Sequence, residues 1–449
     1  MLTCAKHPNV VIDYNNFLGE VMKRDEHELL SRTGQGTPMG DLLRRFWLPA
    51  LLSLEVEADG APVRVRLLGE DLIAFRDSQG RVGLLGEHCA HRGASLYFAK
   101  NEACGLRCWY HGWKYDVDGN CVDMPNESPQ TQFKDKVRQR AYPCIERNGV
   151  VMTYMGPPEK KPPLPDLEWL NVPADHVYIS KRYQDCHWLQ GLEGDIDSSH
   201  LGFLHGIEAM QKATEHDMSG SRDFVAQGTH PKLEIVQKPV GIIQGARRDA
   251  DAEHHYWRIG AWLMPCFTLL PSFPGDAALG GHAWVPVDDT KVWAFGVSWH
   301  PKRPLTEQEL SWFHEGTPTG IHSTMLPGSF IAKRNKSNGY ADPDAPPAKQ
   351  PWQNITVFQD QDTAVTESIG WDFDRSLENL GTTDVVIIHA RRRLMMAARD
   401  LREGKEPVTD PKAYRLRGLT CLLPRDTPAW ADAIAEAMDT RPETFQPGL

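Results

Sequence analysis

No run of about 18 apolar residues occurs in the 449-residue chain, so no segment has the pattern of a membrane-spanning helix. The first thirty residues lack the basic-then-apolar layout of a signal peptide and carry acids at Asp13, Glu20, Asp25 and Glu26. Long basic runs are missing too. The formal charge is −11, from 49 basic and 60 acidic side chains, so nucleic acid is not an expected partner. The glycines between Gly34 and Gly40 do not fit GxGxxG, because residue 39 is Met and no strand precedes them. That argues against a dinucleotide loop. No repeat of solenoid period is visible. Nine cysteines, odd in number and irregularly spaced, do not outline a disulfide framework; ligand thiolates or buried thiols fit better. What remains is a chain 41% hydrophobic and 24% charged, long enough for roughly two or three domains. A cytoplasmic protein with a packed core is expected.

Residues 1–45 have the texture of an appendage, with helical character from Glu26 to Arg32 and an amphipathic stretch from Asp41 to Leu48. From about 46 to 156 the pattern is β. Val63, Val65 and Leu67 alternate with polar neighbours, and further strands are predicted at Leu72–Phe75, Val82–Leu85, Tyr115–Val117 and Cys121–Val122. Strands this short, with turn signals this close, predict a small sandwich or barrel. Five prolines in residues 157–165 mark a linker, since such a run joins neither helix nor central strand. The second domain is then 166–449. Tyr256–Leu270 is one long strand candidate. Trp293, Phe295, Val297 and Trp299 alternate, predicting a strand with one apolar face, hairpinned through Asp288–Thr290 to Gly281–Val287. An antiparallel sheet flanked by helices follows. One helix is expected from Asp384 to Arg402, ending at Gly404, and another opening at Thr427-Pro428; 335–353 is expected to be loop.

Two stretches carry chemistry. Glu193–His205 holds Glu193, Asp197, His200 and His205. Asp197 and His200 would share a face of one helical turn, and a bend at Gly202 could bring both imidazoles to one ion. Two His and one carboxylate is the ligand set of mononuclear non-heme iron. The stretch alone equally suits a capped helix end with two satisfied histidines. The second stretch pairs Cys89-Ala90-His91 with Cys108-Trp109-Tyr110-His111. Structural zinc accepts two Cys and two His, but its fingers commonly bring Cys from one arm and His from the other. Here each loop brings one of each, which suits a Rieske [2Fe–2S] cluster, where Cys₂ holds one iron and His₂ the other.

Cys89–Gly93 and Cys108–Trp113 resemble the two ligand loops of Rieske oxygenases. Ala94 and Tyr110 stand where respiratory Rieske proteins carry extra cysteines. Together with Asp197-x-x-His200-x₄-His205 the chain is similar to the α (terminal oxygenase) subunits of aromatic-ring oxygenases. Gly36–Gly40 and Trp47–Pro49 bring it nearest the phthalate 4,5-dioxygenase-like group. The resemblance implies an α+β chain. A small all-β Rieske domain (46–156) would precede a larger catalytic domain of helix-grip, START-like type, with 1–45 packed on the latter. It implies a [2Fe–2S] cluster on Cys89, His91, Cys108 and His111, and Fe²⁺ on His200, His205 and a late Asp. Asp362 aligns best as that third ligand, with Asp360 the runner-up; Cys104 and Cys121 are not expected to be ligands. Asp197 is expected to bridge His200 to His111 of the partner subunit in a homotrimer or a dimer of trimers; the role of Glu193 stays open. The implied reaction is O₂-dependent hydroxylation of an aromatic compound, with an aromatic carboxylate the expected kind. Oxidative O- or N-demethylation and ether cleavage are the alternatives, and an electron-transfer protein without oxygenase activity is the alternative class. With no nicotinamide fingerprint and no ferredoxin-type C-x₄-C-x₂-C in the chain, electrons should come from NAD(P)H through a separate ferredoxin or flavin reductase. Phthalate-type relatives carry an Arg in the strand near 239–248. Here Ile243 or Gln244 takes the early position and Arg247 and Arg248 lie at the end, so no substrate-binding residue is assigned.

Overall fold

The computed structural model describes residues 22–205, 224–225, 228–272, 275–316, 320–341 and 349–440. Residues 1–21 of the expected N-terminal segment and 342–348 of the expected loop lie outside the described residues.

Eleven short strands build the first region: β1 (Trp47–Leu52), β2 (Val63–Leu67), β3 (Glu70–Arg76), β4 (Val82–Gly86), β5 (Lys100–Glu102), β6 (Gly105–Arg107), β7 (Lys114–Tyr115), β8 (Cys121–Asp123), β9 (Ala141–Tyr142), β10 (Cys144–Arg147) and β11 (Val150–Tyr154). They form three antiparallel sheets, β1-β11-β10, β2-β3-β4-β9 and β5-β6-β7-β8. The β2–β3 and β10–β11 turns are two-residue loops, Leu68-Gly69 and Asn148-Gly149, with positive φ at both positions. Such turns match the twist of the strands they join. Alternation along β3 feeds two cores. Leu72 and Ala74 face the large one, while Ile73 and Phe75 face a small one built around Cys89, Leu96, Leu106, Cys108 and Tyr115.

Residues 157–165 lie against the body of the protein. Trp47 Nε1 donates to Pro162 O at 2.8 Å, and Pro165 is buried. Beyond them an eight-stranded antiparallel sheet runs β12 (Val177–Gln184), β18 (Val292–Trp299), β17 (Leu279–Pro286), β16 (Phe267–Leu269), β15 (His254–Leu263), β14 (Gly241–Asp249) and β13 (Lys232–Lys238), with β19 (Leu419–Pro424) paired to β15. Two expectations are corrected and one is extended. The strand predicted over Tyr256–Leu270 is broken at Met264-Pro265-Cys266 into β15 and β16, as a proline that cannot donate to the ladder requires. β18 buries both faces, because Ala294, Gly296 and Ser298 are as enclosed as the aromatic positions between them. Thr427 and Pro428 precede, but do not open, the last helical segment, which begins at Trp430.

The described helices are α1 (Arg24–Ser31), α2 (Pro38–Leu43), α3 (Glu168–Asn171), α4 (Trp188–Ile196), α5 (Leu201–Leu204), α6 (Glu307–Glu315), α7 (Phe358–Ile369), α8 (Val385–Arg402), α9 (Trp430–Ala433) and α10 (Ala435–Met438). None is long and apolar enough to cross a membrane. α4 lies on the sheet with Gly191 flat against Trp284; a Cβ there would sit 2.2 Å from the indole. α7 and α8 pack against α4, and α1 and α2 pack against α8. Gly404, at φ +85°, turns the chain away after α8.

Candidate metal centres

The two Cys–His loops are built alike. Cys89 N–H donates to Ala94 O and Gly93 N–H returns to Cys89 O, each at 2.9 Å. Cys108 N–H donates to Trp113 O at 2.8 Å and Gly112 N–H returns to Cys108 O at 3.0 Å. Gly93 and Gly112 take φ of +77° and +78°, a left-handed conformation that costs glycine nothing. Cys89 and Cys108 are 4% and 3% exposed. The His91 and His111 rings stand at the surface edge, 4.4 Å apart, and His91 stacks on Trp113 at 4.2 Å. Tyr115 OH lies 3.2 Å from Cys89 Sγ. Burial pushes the Cys108 thiol up, so binding as thiolate needs a cation beside it. Gln139, which no sequence signal marks, fastens the first loop: its Oε1 accepts from Ala90 N–H, and its Nε2 donates to Gly86 O and His88 O. Cys121 is buried and turned to Asp123 O, and Cys104 caps the β5–β6 turn in a left-handed conformation.

At the second stretch the chain leaves α4 at Ile196 and turns through Asp197–Ser199. The expected bend at Gly202 is not where the turn comes: Gly202 lies inside α5. His200 and His205 instead bracket that single helical turn, their ring centroids 5.2 Å apart. α7 supplies the third group. Asp362 Oδ1 stands 3.1 Å from His205 Nε2 and 3.7 Å from His200 Nε2. Among the described residues, these three alone bring His, Cys, Asp or Glu ligand atoms within 4.8 Å of one another. The Cys89, His91, Cys108 and His111 atoms do not converge that tightly, which suits ligands divided between two irons better than one tetrahedral zinc.

The far side of each of these two imidazoles faces a polar group. His205 Nδ1 meets Gln361 Oε1 at 2.8 Å, and Gln361 Nε2 donates to Ile355 O at 2.7 Å. That second bond fixes the amide, so Nδ1 carries the proton and Nε2 keeps its lone pair. His200 Nδ1 lies 3.6 Å from Asp197 Oδ2, and Asp197 Oδ1 accepts from Ser199 N–H and Oγ–H. Burial would raise the Asp362 carboxyl, but His205 and His200 outweigh it and hold it below its ordinary value.

Asp360, two residues away on α7, is 1% exposed and paired with Arg334 on the other side of the helix. Glu193 is turned to α8, where Arg391 grips both its oxygens at 2.6 and 2.7 Å; Arg391 also pairs with Glu378. Arg248 donates to Ser198 O at 2.8 Å and to Gly228 O at 2.9 Å, bracing the turn that leads into His200. Burial, and then Arg258 nearby, bring its guanidinium down to about 10. Arg247 lies over Trp257 at 5.7 Å. Asp195 went unmarked in the sequence. Its Oδ2 accepts from Trp284 Nε1 at 2.7 Å, His282 Nδ1 at 3.0 Å and the Thr268 hydroxyl, tying α4 to the two strands β16 and β17.

A Rieske [2Fe-2S] domain profile matches residues 46–139, and a profile described as LigXa C-terminal domain like matches 153–438. The 3-chlorobenzoate-3,4-dioxygenase oxygenase subunit of Comamonas testosteroni is 38% identical over 388 residues, covering 83% of this chain and 88% of that protein. The phthalate 4,5-dioxygenase oxygenase subunit of Pseudomonas putida is 34% identical over 419 residues, 91% of this chain and 94% of that one. Among solved structures, dicamba monooxygenase bound to dicamba shares the fold at TM-score 0.55 and 17% identity, covering 81% of this chain and 99% of that one.

Proposed function

The chain belongs to the Rieske oxygenase α subunits, in the phthalate 4,5-dioxygenase-like group, and from that premise we propose which of its residues run the reaction. The protein is an oxidoreductase, the terminal oxygenase component of a multicomponent system acting on an aromatic compound. Cys89, His91, Cys108 and His111 are the residues that would hold its [2Fe–2S] cluster. The donor set fits: two thiols, two imidazoles, and a buried His91 Nδ1 with no hydrogen-bond partner. His200, His205 and Asp362 would hold the mononuclear iron, and their convergence within 4.8 Å is the observation that carries the proposal. When bound, the cluster supplies single electrons and the iron supplies dioxygen activation beside the substrate.

The chain's own residues set the terms. Gln361 keeps the Nδ1 proton on His205, Asp197 faces His200 Nδ1 from 3.6 Å, and both Nε2 atoms turn toward Asp362. Phe358 stacks on His205 at 4.4 Å and shields it from water. Asp197, partly exposed, is the bridge through which His200 would connect to His111 of the partner subunit in a homotrimer or dimer of trimers. The surface position of His111, with Trp109 83% exposed beside it, supports a docked face there. Electrons would come from NAD(P)H through a separate ferredoxin or flavin reductase. A cytoplasmic setting is in keeping with the described cysteines, all free thiols.

His200→Ala should abolish product formation while the Rieske visible spectrum persists; turnover surviving this change would overturn the proposal. Loaded protein should carry about three irons per chain. Asp197→Asn should keep both metals and lose most single-turnover electron transfer, and unchanged rates would remove the bridge. A screen of phthalates, benzoates, methoxybenzoates and biaryl ethers with a compatible reductase separates ring hydroxylation from oxidative dealkylation.

A further inference from the structure

His205 and His200 each face an outer polar group, but the Asp362 carboxylate does not. Among the described residues it pairs only with those two imidazoles. Its place is therefore set by the helix that carries it. Metal–ligand distances tolerate only about 0.2 Å, so a small slide or roll of α7 would put the carboxylate out of reach.

The helix is tied from behind. At roughly 100° per residue, Asp362 stands about 200° around the helix from Asp360, whereas Glu367, nearly two turns on, returns to the Asp360 face. Asp360 is 1% exposed and pairs with Arg334. Glu367 Oε2 accepts from Tyr340 OH at 2.6 Å, and its Oε1 accepts from Asp185 N–H at 3.0 Å. Gln184 Nε2 adds a bond to Thr366 Oγ1 at 2.7 Å. Two ties nearly two turns apart fix both the roll and the height of a helix; a single tie leaves it free to pivot.

Arg334 and Tyr340 belong to one strap, residues 320–341, which is itself fastened to the sheet. Ile321 fills the room left by two glycines: a Cβ at Gly280 would stand 2.0 Å from Ile321 Cδ1, and one at Gly296 2.7 Å from Ile321 O. His322, 1% exposed, meets Ser180 Oγ through Nδ1 at 2.7 Å and Ser298 Oγ through Nε2 at 2.9 Å. Arg182 Nη1 donates to Ser323 Oγ at 2.9 Å, and Tyr183 N–H to Phe330 O at 2.7 Å. The far end of the strap turns sharply. Gly339 and Tyr340 take φ of +64° and +60°, and Tyr340 N–H donates to Asn335 O at 2.9 Å. An aromatic residue keeps a left-handed conformation only where its surroundings over-determine it, and such strain gathers at functional sites. Here the turn delivers the phenol to Glu367.

We propose that Arg334 and Tyr340 are positioning residues for Asp362. Through Asp360 and Glu367 they hold α7 at the roll and height from which its carboxylate meets His205 and His200. Sheet, strap and helix thus act in series on a group that touches none of the first two. This rests on the oxygenase reading of the His200–His205–Asp362 cluster and adds residues to it.

The test compares the full chain loaded with Fe²⁺ against Arg334→Met, Arg334→Lys and Tyr340→Phe. Three quantities are read: mononuclear iron kept on dialysis against a chelator, the electron paramagnetic resonance signal of the ferrous protein with nitric oxide, and the thermal midpoint. Rieske absorbance serves as the internal control. Arg334→Met should lower iron retention on the order of tenfold or more, with Arg334→Lys recovering part of the loss and Tyr340→Phe losing less. The nitric oxide signal should change shape in Arg334→Met and Tyr340→Phe while Rieske absorbance holds. Lower midpoints with wild-type retention and a wild-type signal would overturn the proposal, because a merely structural role predicts that result. A wild-type result in Tyr340→Phe alone would remove Tyr340. If Arg334→Met does not fold, Arg334→Lys and Tyr340→Phe decide, since one keeps the charge and the other strips a single hydroxyl. If wild type itself holds no mononuclear iron, the oxygenase reading fails and the proposal with it; if wild type loads and the variants match it, the proposal alone falls.

Discussion

Gln361 does for His205 what no ligand list records. Its amide is held by Ile355 O and turned so that Oε1 meets Nδ1. Outer partners of this kind orient a ligand imidazole and raise its basicity, and losing one typically costs on the order of 10–100-fold in metal affinity. Gln361→Leu should therefore lower mononuclear iron retention by that order under dialysis against a chelator, with the Rieske absorbance unchanged; full retention would refute the role. Glu193 makes a different prediction. Burial alone would raise its carboxyl, but Arg391 outweighs burial and holds it below its ordinary value. A depressed folded pKa means stabilisation fully present above the ordinary carboxylate range and lost as pH falls through the lower folded value. Glu193→Gln should cost about 3 kcal/mol at neutral pH, since it strips one partner from a buried pair. The gap to wild type should narrow in acid, and urea midpoints at stepped pH would expose a constant gap as a contradiction. At this scale the sequence was uneven. The alternating Cys and His of the two loops announce themselves by local spacing. Choosing Asp362 as the candidate needed family resemblance, because Asp360 offers the same chemistry two residues away and only folding sends it to Arg334. Gln361, Gln139 and Asp195 were invisible, since their partners lie tens to more than a hundred residues off in sequence.

α4 is the element that carries the geometry of the sheet to the His200–His205–Asp362 cluster. Its Gly191 sits against Trp284, and Asp195 one turn later takes the Trp284 N–H. The helix can approach the sheet this closely only because position 191 has no side chain. Gly191→Ala must push helix or indole aside, and over-packing of this kind costs roughly 1–3 kcal/mol. Because Asp197 and His200 follow directly from the end of α4, the same shift should loosen the iron site. The expected result is a lower thermal midpoint together with reduced mononuclear iron; a stable variant with full iron would show that the helix floats free of Trp284. Element by element, periodicity found strands and helices where local pattern dominates, as in β2, β3 and α8. It failed where tertiary packing decides. β18 has the expected apolar face, but its second face is enclosed too, where Gly296 lies under Ile321 O and Ser298 meets His322. The long strand over Tyr256–Leu270 was drawn through Pro265, where chain chemistry forbids a continuous ladder.

Over the whole molecule, the proline-rich stretch at 157–165 suggested two bodies joined by a tether, yet the packing ties them together. The large core runs from Leu48, Leu51 and Val151 in the first region to Leu189, Ile259 and Phe295 in the second without a break. Across the same seam Lys181 of β12 is 3% exposed and bound to both oxygens of Glu55 at 2.9 and 3.0 Å. Its ammonium lies over Trp293 at 4.2 Å and Phe330 at 4.6 Å. A buried cation enclosed by rings and answered by one carboxylate depends on that carboxylate, so removing it should cost about 3–5 kcal/mol. Multidomain chains commonly unfold in separate steps. Here the shared core and the Lys181–Glu55 pair predict one calorimetric transition, shifted down as a unit by Glu55→Gln. Two resolved transitions, with Glu55→Gln moving only one, would mean that the proline stretch does separate the bodies. A single transition would mean that the Rieske region and the large sheet hold each other's geometry.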